Sequence, residues 1–253
     1  DAWLEQARII EDKLEEPRRA TEPYGRILEV SPLHVRAFEK MEEIFTEHEK
    51  WDRLIQMYSN RLNYAAEVAD QVSLMHKAAS VYEEKLSQPE NAFQVMQQAF
   101  AIDYSNDETA KHLERLASLT NSWEGLLQSC NQVLQSIQDK KTQVNLCLKI
   151  GKWYADELGH PEYAIAYYQQ VLQLDTDNVA ALKLMGQLYR GTKQWAELVE
   201  VLGRAVAAED DPEKKKSVYV ELGQIYEDYL SDQPEARKAY KQALDIDPSL
   251  ETA

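Results

Sequence analysis

Residues 217–248 read SVYVELGQIYEDYLSDQPEARKAYKQALDIDP. Leu222-Gly223 is followed by Tyr226, and then by Ala236, Tyr240, Ala243-Leu244 and Ile246-Asp247-Pro248. Apolar and small residues recur at helical spacing on both sides of one short break. Pro234 stands where a second helix begins, a position at which a missing N–H costs nothing. Moved back by 72 residues, the stretch falls on itself. Ala236 meets Ala164, Ala92 and Ala20, while Trp195, Trp123 and Trp51 form another column. Leu198, Leu126 and Leu54 follow three residues after each Trp, and Pro161, Pro89 and Pro17 stand in register, with Pro234 one place out of step. A fixed period of this size marks a repeat architecture.

Each 72-residue unit divides again into two helix pairs, so seven repeats are expected at 1–32, 33–72, 73–104, 105–144, 145–176, 177–216 and 217–248. The small residues explain the pairing. Ala7, Ala79, Gly151 and Gly223 on the first helix, with the Ala20 to Ala236 column on the second, let two helix axes approach the short end of the packing range. Tyr82, Tyr154 and Tyr226 on the first helix and Met96, Tyr168 and Tyr240 on the second fill the space alongside. One repeat cannot bury its own apolar face, so stacking is required and a single array over 1–253 is expected.

These residues resemble the tetratricopeptide repeat (TPR) family, whose pattern is a Leu-Gly pair, a Tyr three residues on, then Ala, an aromatic, Ala and Pro. Stretch 217–248 carries the pattern closely, and 145–176 and 73–104 carry it through Ile150-Gly151, Tyr154, Ala164 and Tyr168, and through Ala79, Tyr82, Ala92 and Ala99. In 33–72 and 105–144 the pattern is degenerate, with Glu42 and Glu114 in place of the Gly and Ala117 in place of the Tyr. The resemblance implies an all-α fold, a right-handed α-solenoid of about seven tandem helix-turn-helix repeats. Asp1 aligns with Ser73, Asn145 and Ser217, and Ser249 to Ala253 enter a further repeat, so the chain reads as a fragment of a longer array.

Composition excludes other classes. Lys plus Arg is 28 against 44 Asp plus Glu, a net charge of −16, which opposes phosphate binding and so nucleic acid. Gly is 8 of 253, about half the usual share, consistent with helices throughout. No apolar run approaches the roughly 20 residues that span a bilayer, so no membrane role is expected. No phosphate-binding glycine loop, dinucleotide fingerprint or nucleophile elbow is present. His34, His48, His76, His112 and His160 lack metal-ligand spacing and read as surface residues. Cys130 and Cys147 fall in apolar columns and read as buried thiols, which favours a reducing, cytoplasmic setting. Tyr167, Tyr168, Tyr226 and Tyr229 recur in register and read as core. No catalysis and no cofactor are expected.

Surface is what remains. In the family the inner groove is lined by set positions of each first helix, and the resemblance carries these to Asp1, Arg8 and Asp12 at one end and to Ser217, Gln224 and Asp228 at the other. Between them the register picks out Lys111, Arg115, Asn145, Lys152, Lys183, Gln187 and Arg190. Cations gathered there in so acidic a chain suggest a scaffold that takes a protein or peptide, by an acidic or C-terminal carboxylate segment. The competing reading pairs these cations with acidic neighbours one repeat away. Repeats that clamp chaperone tails place Asn after the small residue; Lys152 and Gln224 stand there instead, which disfavours that use. Two further readings are an RNA-processing helical-repeat protein and a regulatory repeat domain of a larger enzyme. The general character is similar to long repeat arrays in bacterial assemblies.

Overall fold

The structure, a computed structural model, describes residues 2–14 and 21–249. Asp1, Pro17 and Ala20 lie outside the described residues, as do residues 250–253 and the side chains of Arg8 and Asp12. The described residues form fourteen helices and no strand. They are α1 (Ala2–Leu14), α2 (Thr21–Val30), α3 (Val35–Glu47), α4 (Trp51–Leu62), α5 (Val68–Ser80), α6 (Pro89–Ile102), α7 (Asp107–Thr120) and α8 (Trp123–Leu134), followed by α9 (Lys140–Asp156), α10 (Pro161–Leu174), α11 (Val179–Gly191), α12 (Trp195–Ala208), α13 (Pro212–Asp228) and α14 (Gln233–Ile246). They alternate first helix, second helix as the repeat requires. The chain divides into two compact units, residues 1–129 and 130–253, with the boundary inside α8.

The start of each helix follows from its residues. Pro89 and Pro161 open α6 and α10, and Pro234 stands in the first turn of α14. Trp51, Trp123 and Trp195 each open a second helix. His34, Asn106 and Asn178, themselves 72 apart, cap α3, α7 and α11 by accepting the N–H three residues on, which satisfies a donor the helix cannot pair.

The turns repeat as strictly. Glu49, Asn121 and Lys193 are left-handed, at φ 54°, 54° and 58°. The next residue's N–H then donates back to Phe45, Ala117 and Tyr189 at 2.8–2.9 Å, closing each first helix with a Schellman turn. The other turn uses Ser87, Gly159 and Ser231, at φ 55°, 67° and 54°. There the N–H groups of Gln88, His160 and Asp232 reach six residues back, to Tyr82, Tyr154 and Tyr226, at 2.8 Å. Ahead of the first of these turns α5 widens into a π-helical turn over Val81–Lys85.

Packing follows the small-residue columns. Ala79, Ala92, Ala164 and Ala236 are all buried, the last at 1% exposure. A methyl built on Gly151 would stand 2.4 Å from the Tyr168 ring, and one on Gly223 would stand 2.4 Å from Tyr240. These rings therefore lie flat against bare helix backbone. At the same register the first unit pairs buried Ala79 with buried Met96. Cys130 and Cys147 are buried, and burial raises the Cys147 thiol to about 11. Tyr168 is buried and Tyr154, Tyr167 and Tyr226 are half-buried, but Tyr229 departs from the core reading. It is 55% exposed, its ring stacked on Trp195 at 3.9 Å.

Candidate functional site

First helices present the candidate surface, and each unit carries part of it. In the first unit, Lys111 and Arg115 lie one turn apart on α7, both exposed. Arg115 donates to both oxygens of Glu83, at 2.5 and 2.6 Å. Glu83 sits on the π-helical turn that ends α5, so the bidentate pair ties one repeat to the next. His112 adds a third contact at 3.2 Å. The Arg115 guanidinium above all holds the Glu83 carboxyl down to about 2. His76 bonds buried Thr109 at 2.8 Å, and its ring stands 5.8 Å from that of His112. Burial lowers the His76 pKa. Both histidines are half-buried between α5 and α7, which corrects the surface reading for these two. Spacing along the chain did not reveal this, because their partners lie 29 and 33 residues away.

In the second unit, Asn145 and Lys152 share one face of α9 by their seven-residue spacing, and Lys183, Gln187 and Arg190 share one face of α11. All five are exposed. Arg190 pairs with Glu221 of α13. Among the described residues Lys152 and Lys183 form no ion pair. Arg115 and Arg190 thus do what the competing reading describes, bonding acidic residues one repeat away, whereas Lys152 and Lys183 are exposed.

Glu42, which stands where the family pattern has Gly, is part of the same kind of tie. It accepts from the Tyr58 hydroxyl at 2.6 Å and from the Lys77 ammonium at 2.8 Å, joining α3, α4 and α5. Burial, with Glu42 adding to it, pushes the Tyr58 pKa far up. The degenerate repeat has exchanged a close helix approach for a carboxylate bridge.

Sequence reasoning passed over a groove between α2, α3 and α4 in the first unit. Its cavity is about 280 Å³, floored by Phe38, Met41, Phe45 and Met57. The available signal was Gly25, which stands where the register has Gln97 and Gln169. Among the described residues no group of three His, Cys, Asp or Glu is arranged to hold a metal ion, and no helix is long and apolar enough to cross a membrane.

Comparison with known proteins agrees with this architecture. A family profile described as "Tetratricopeptide repeat" matches residues 144–178 and 217–250, and a second profile of the same description matches 181–216. Among solved structures, Naa15/Naa10 bound to HypK-THB is similar at 16% identity with a TM-score of 0.53, covering 98% of this chain and 37% of that one. YrrB, described as a TPR protein with an unusual peptide-binding site, gives 15% identity and a TM-score of 0.41, covering 70% and 86%. Pseudomonas aeruginosa pilF gives 12% and 0.41, covering 85% and 92%. At 16% identity the likeness to Naa15/Naa10 speaks to the fold alone. No curated protein matches the chain.

Proposed function

We propose that this chain, which belongs to the tetratricopeptide repeat family, holds acidic segments of partner proteins against the exposed face of its first helices, without catalysing a reaction. Its repeats make it a protein-interaction scaffold in the general sense of the family; the partner class and the surface are our reading. The observation that carries it is the pair Lys152 and Lys183. Both are exposed and have no ion pair among the described residues, in a chain of net charge −16, while Arg115 and Arg190 are held by Glu83 and Glu221. A carboxylate arriving from a partner meets these two lysines without displacing an internal bond.

The 72-residue register runs through residues 129 and 130 without a slip, so we read 1–253 as one array. Rigid repeats give affinity by preorganisation, and differences between repeats give selectivity. Two buried cysteines in a chain of this length make no disulfide framework, which suits a reducing compartment such as the cytoplasm. The RNA-processing reading meets the opposing net charge, and no observation favours a regulatory role beside an enzyme.

The test uses a fluorescent Asp/Glu-rich peptide with a free C-terminal carboxylate and follows anisotropy. Converting both Lys152→Glu and Lys183→Glu is expected to weaken binding about tenfold or more, through lost attraction and new repulsion, with the melting temperature unchanged. Equal affinity for wild type and the double variant refutes this surface.

A further inference from the structure

We propose that the groove between α2, α3 and α4 docks a second kind of segment, an internal stretch of a partner protein in which a bulky apolar side chain is flanked by carboxylates. The groove is marked by a missing side chain. At the equivalent place in the next repeat pair, Gln97 fills the groove and donates to the Gly125 carbonyl and the Ser129 hydroxyl, each at 3.0 Å. Two repeat pairs on, Gln169 hydrogen-bonds Tyr189. Gly25 occupies that register in the first unit, and a methyl built on it would meet nothing within 4 Å. The groove is therefore open where its repeats are closed.

Its chemistry is mixed. Phe38, Met41, Phe45 and Met57 form an apolar floor. Arg61 lies over the Phe38 ring at 4.2 Å, and its Nη1 is buried with no hydrogen-bond partner. A buried guanidinium nitrogen without an acceptor is costly, and a carboxylate is the acceptor that best removes the cost. Phe45 and Arg53 also line a further cavity of about 210 Å³, whose wall includes Lys50 and His48. Among the described residues Lys50, Arg53 and Arg61 form no ion pair. Cations thus stand at both ends of an apolar floor, in a chain whose net charge is −16.

Length selects the occupant. The lining residues span Gly25 to Pro32 on one side and Arg53 to Arg61 on the other, about 10–12 Å at the rise of a helix. That accommodates about three or four extended residues, which is the reach of a carboxylate–apolar–carboxylate sequence. The groove uses α2 and α4, whereas the surface proposed above uses α9 and α11, so the two readings stand or fall separately.

The probe is an acetylated and amidated peptide carrying Glu-Asp-Phe-Glu-Glu between Gly-Ser flanks, followed by fluorescence anisotropy on the whole chain. Wild type is expected to bind it with a Kd of about 10–100 μM. Gly25→Gln, which rebuilds the closure seen at Gln97, and Arg61→Gln are each expected to weaken binding by about tenfold, as are replacing Phe by Ser or the acids by amides in the peptide. The double change Lys152→Glu and Lys183→Glu is expected to leave it unaltered. Circular dichroism checks that each variant is folded; if Gly25→Gln fails it, Arg61→Gln decides alone. Absence of saturable binding at about 1 mM peptide, or binding insensitive to every folded groove variant, overturns the proposal.

Discussion

At one register position the two units solve the same packing problem differently. In the second unit a glycine faces a tyrosine ring, as Gly151 with Tyr168 and Gly223 with Tyr240. In the first unit Ala79 stands with Met96, both fully buried. A flat rigid ring against the backbone leaves no room for a methyl, while a thioether chain bends around one. Ala7 with Tyr24 shows that a buried ring also occurs with alanine, in the pair α1–α2. The small residue and its partner are therefore best read together.

The sharpest break of this contrast is Gly151→Ala. The new methyl meets a ring that is 1% exposed and has nowhere to turn. Overpacking outweighs the gain in helix propensity, and a net loss of about 1–3 kcal/mol in denaturant unfolding is expected. Adding Tyr168→Met should restore most of that loss, because it recreates the Ala79–Met96 solution; no recovery would show that the two residues are not coupled.

Gly223→Ala meets the same 2.4 Å approach, but Tyr240 is only half-buried and can tilt toward solvent. A smaller cost, about 1 kcal/mol, is expected in the same assay. A loss as large as that of Gly151→Ala would mean that exposure of the ring is irrelevant.

The units also differ in how their ion pairs are set. The Glu83 side chain is 19% exposed beside Arg115, whereas Arg190 and Glu221 are 46% and 33% exposed. Arg115→Gln should cost about 0.5–1 kcal/mol, more than Arg190→Gln. The sign with pH follows from Glu83, whose carboxyl is lowered to about 2. Its stabilisation is complete above the ordinary carboxylate range and disappears as pH falls from about 4.5 toward 2. The gap in melting temperature between wild type and Arg115→Gln should be smaller at pH 3 than at pH 7; a constant gap would contradict the assignment.

Gly186→Ala gives the smallest effect and the opposite sign. Its methyl would find Leu198 at 3.7 Å, ordinary contact. Helix propensity then dominates, and a gain of about 0.5 kcal/mol is expected, read as a small rise in melting temperature.

The same particulars show what a reader of the sequence can see. The Ala and Pro columns were legible because sterics admit few residue types at a close crossing or a first turn. The left-handed turn residues were not, because Glu49, Lys193, Ser87 and Ser231 are not residues that favour that conformation. The exposed positions on α9 and α11 followed from register alone. Which cations would be held did not, because Arg115 and Glu83 are 32 residues apart and meet only through the stacking of repeats. Gly25 was visible as a mismatch in its column, yet an absent side chain acquires meaning only when its neighbours show what it would have filled.

The recurring left-handed corners have a consequence of their own. Backbone conformation and hydrogen bonds to preceding carbonyls set these bends, so the side chain at each tip is spared any structural duty. Glu49, Asn121 and Lys193 already place a negative, a neutral and a positive group at equivalent corners. The fold thus keeps chemically blank vertices where surface charge can be rewritten while the scaffold underneath stays as it is.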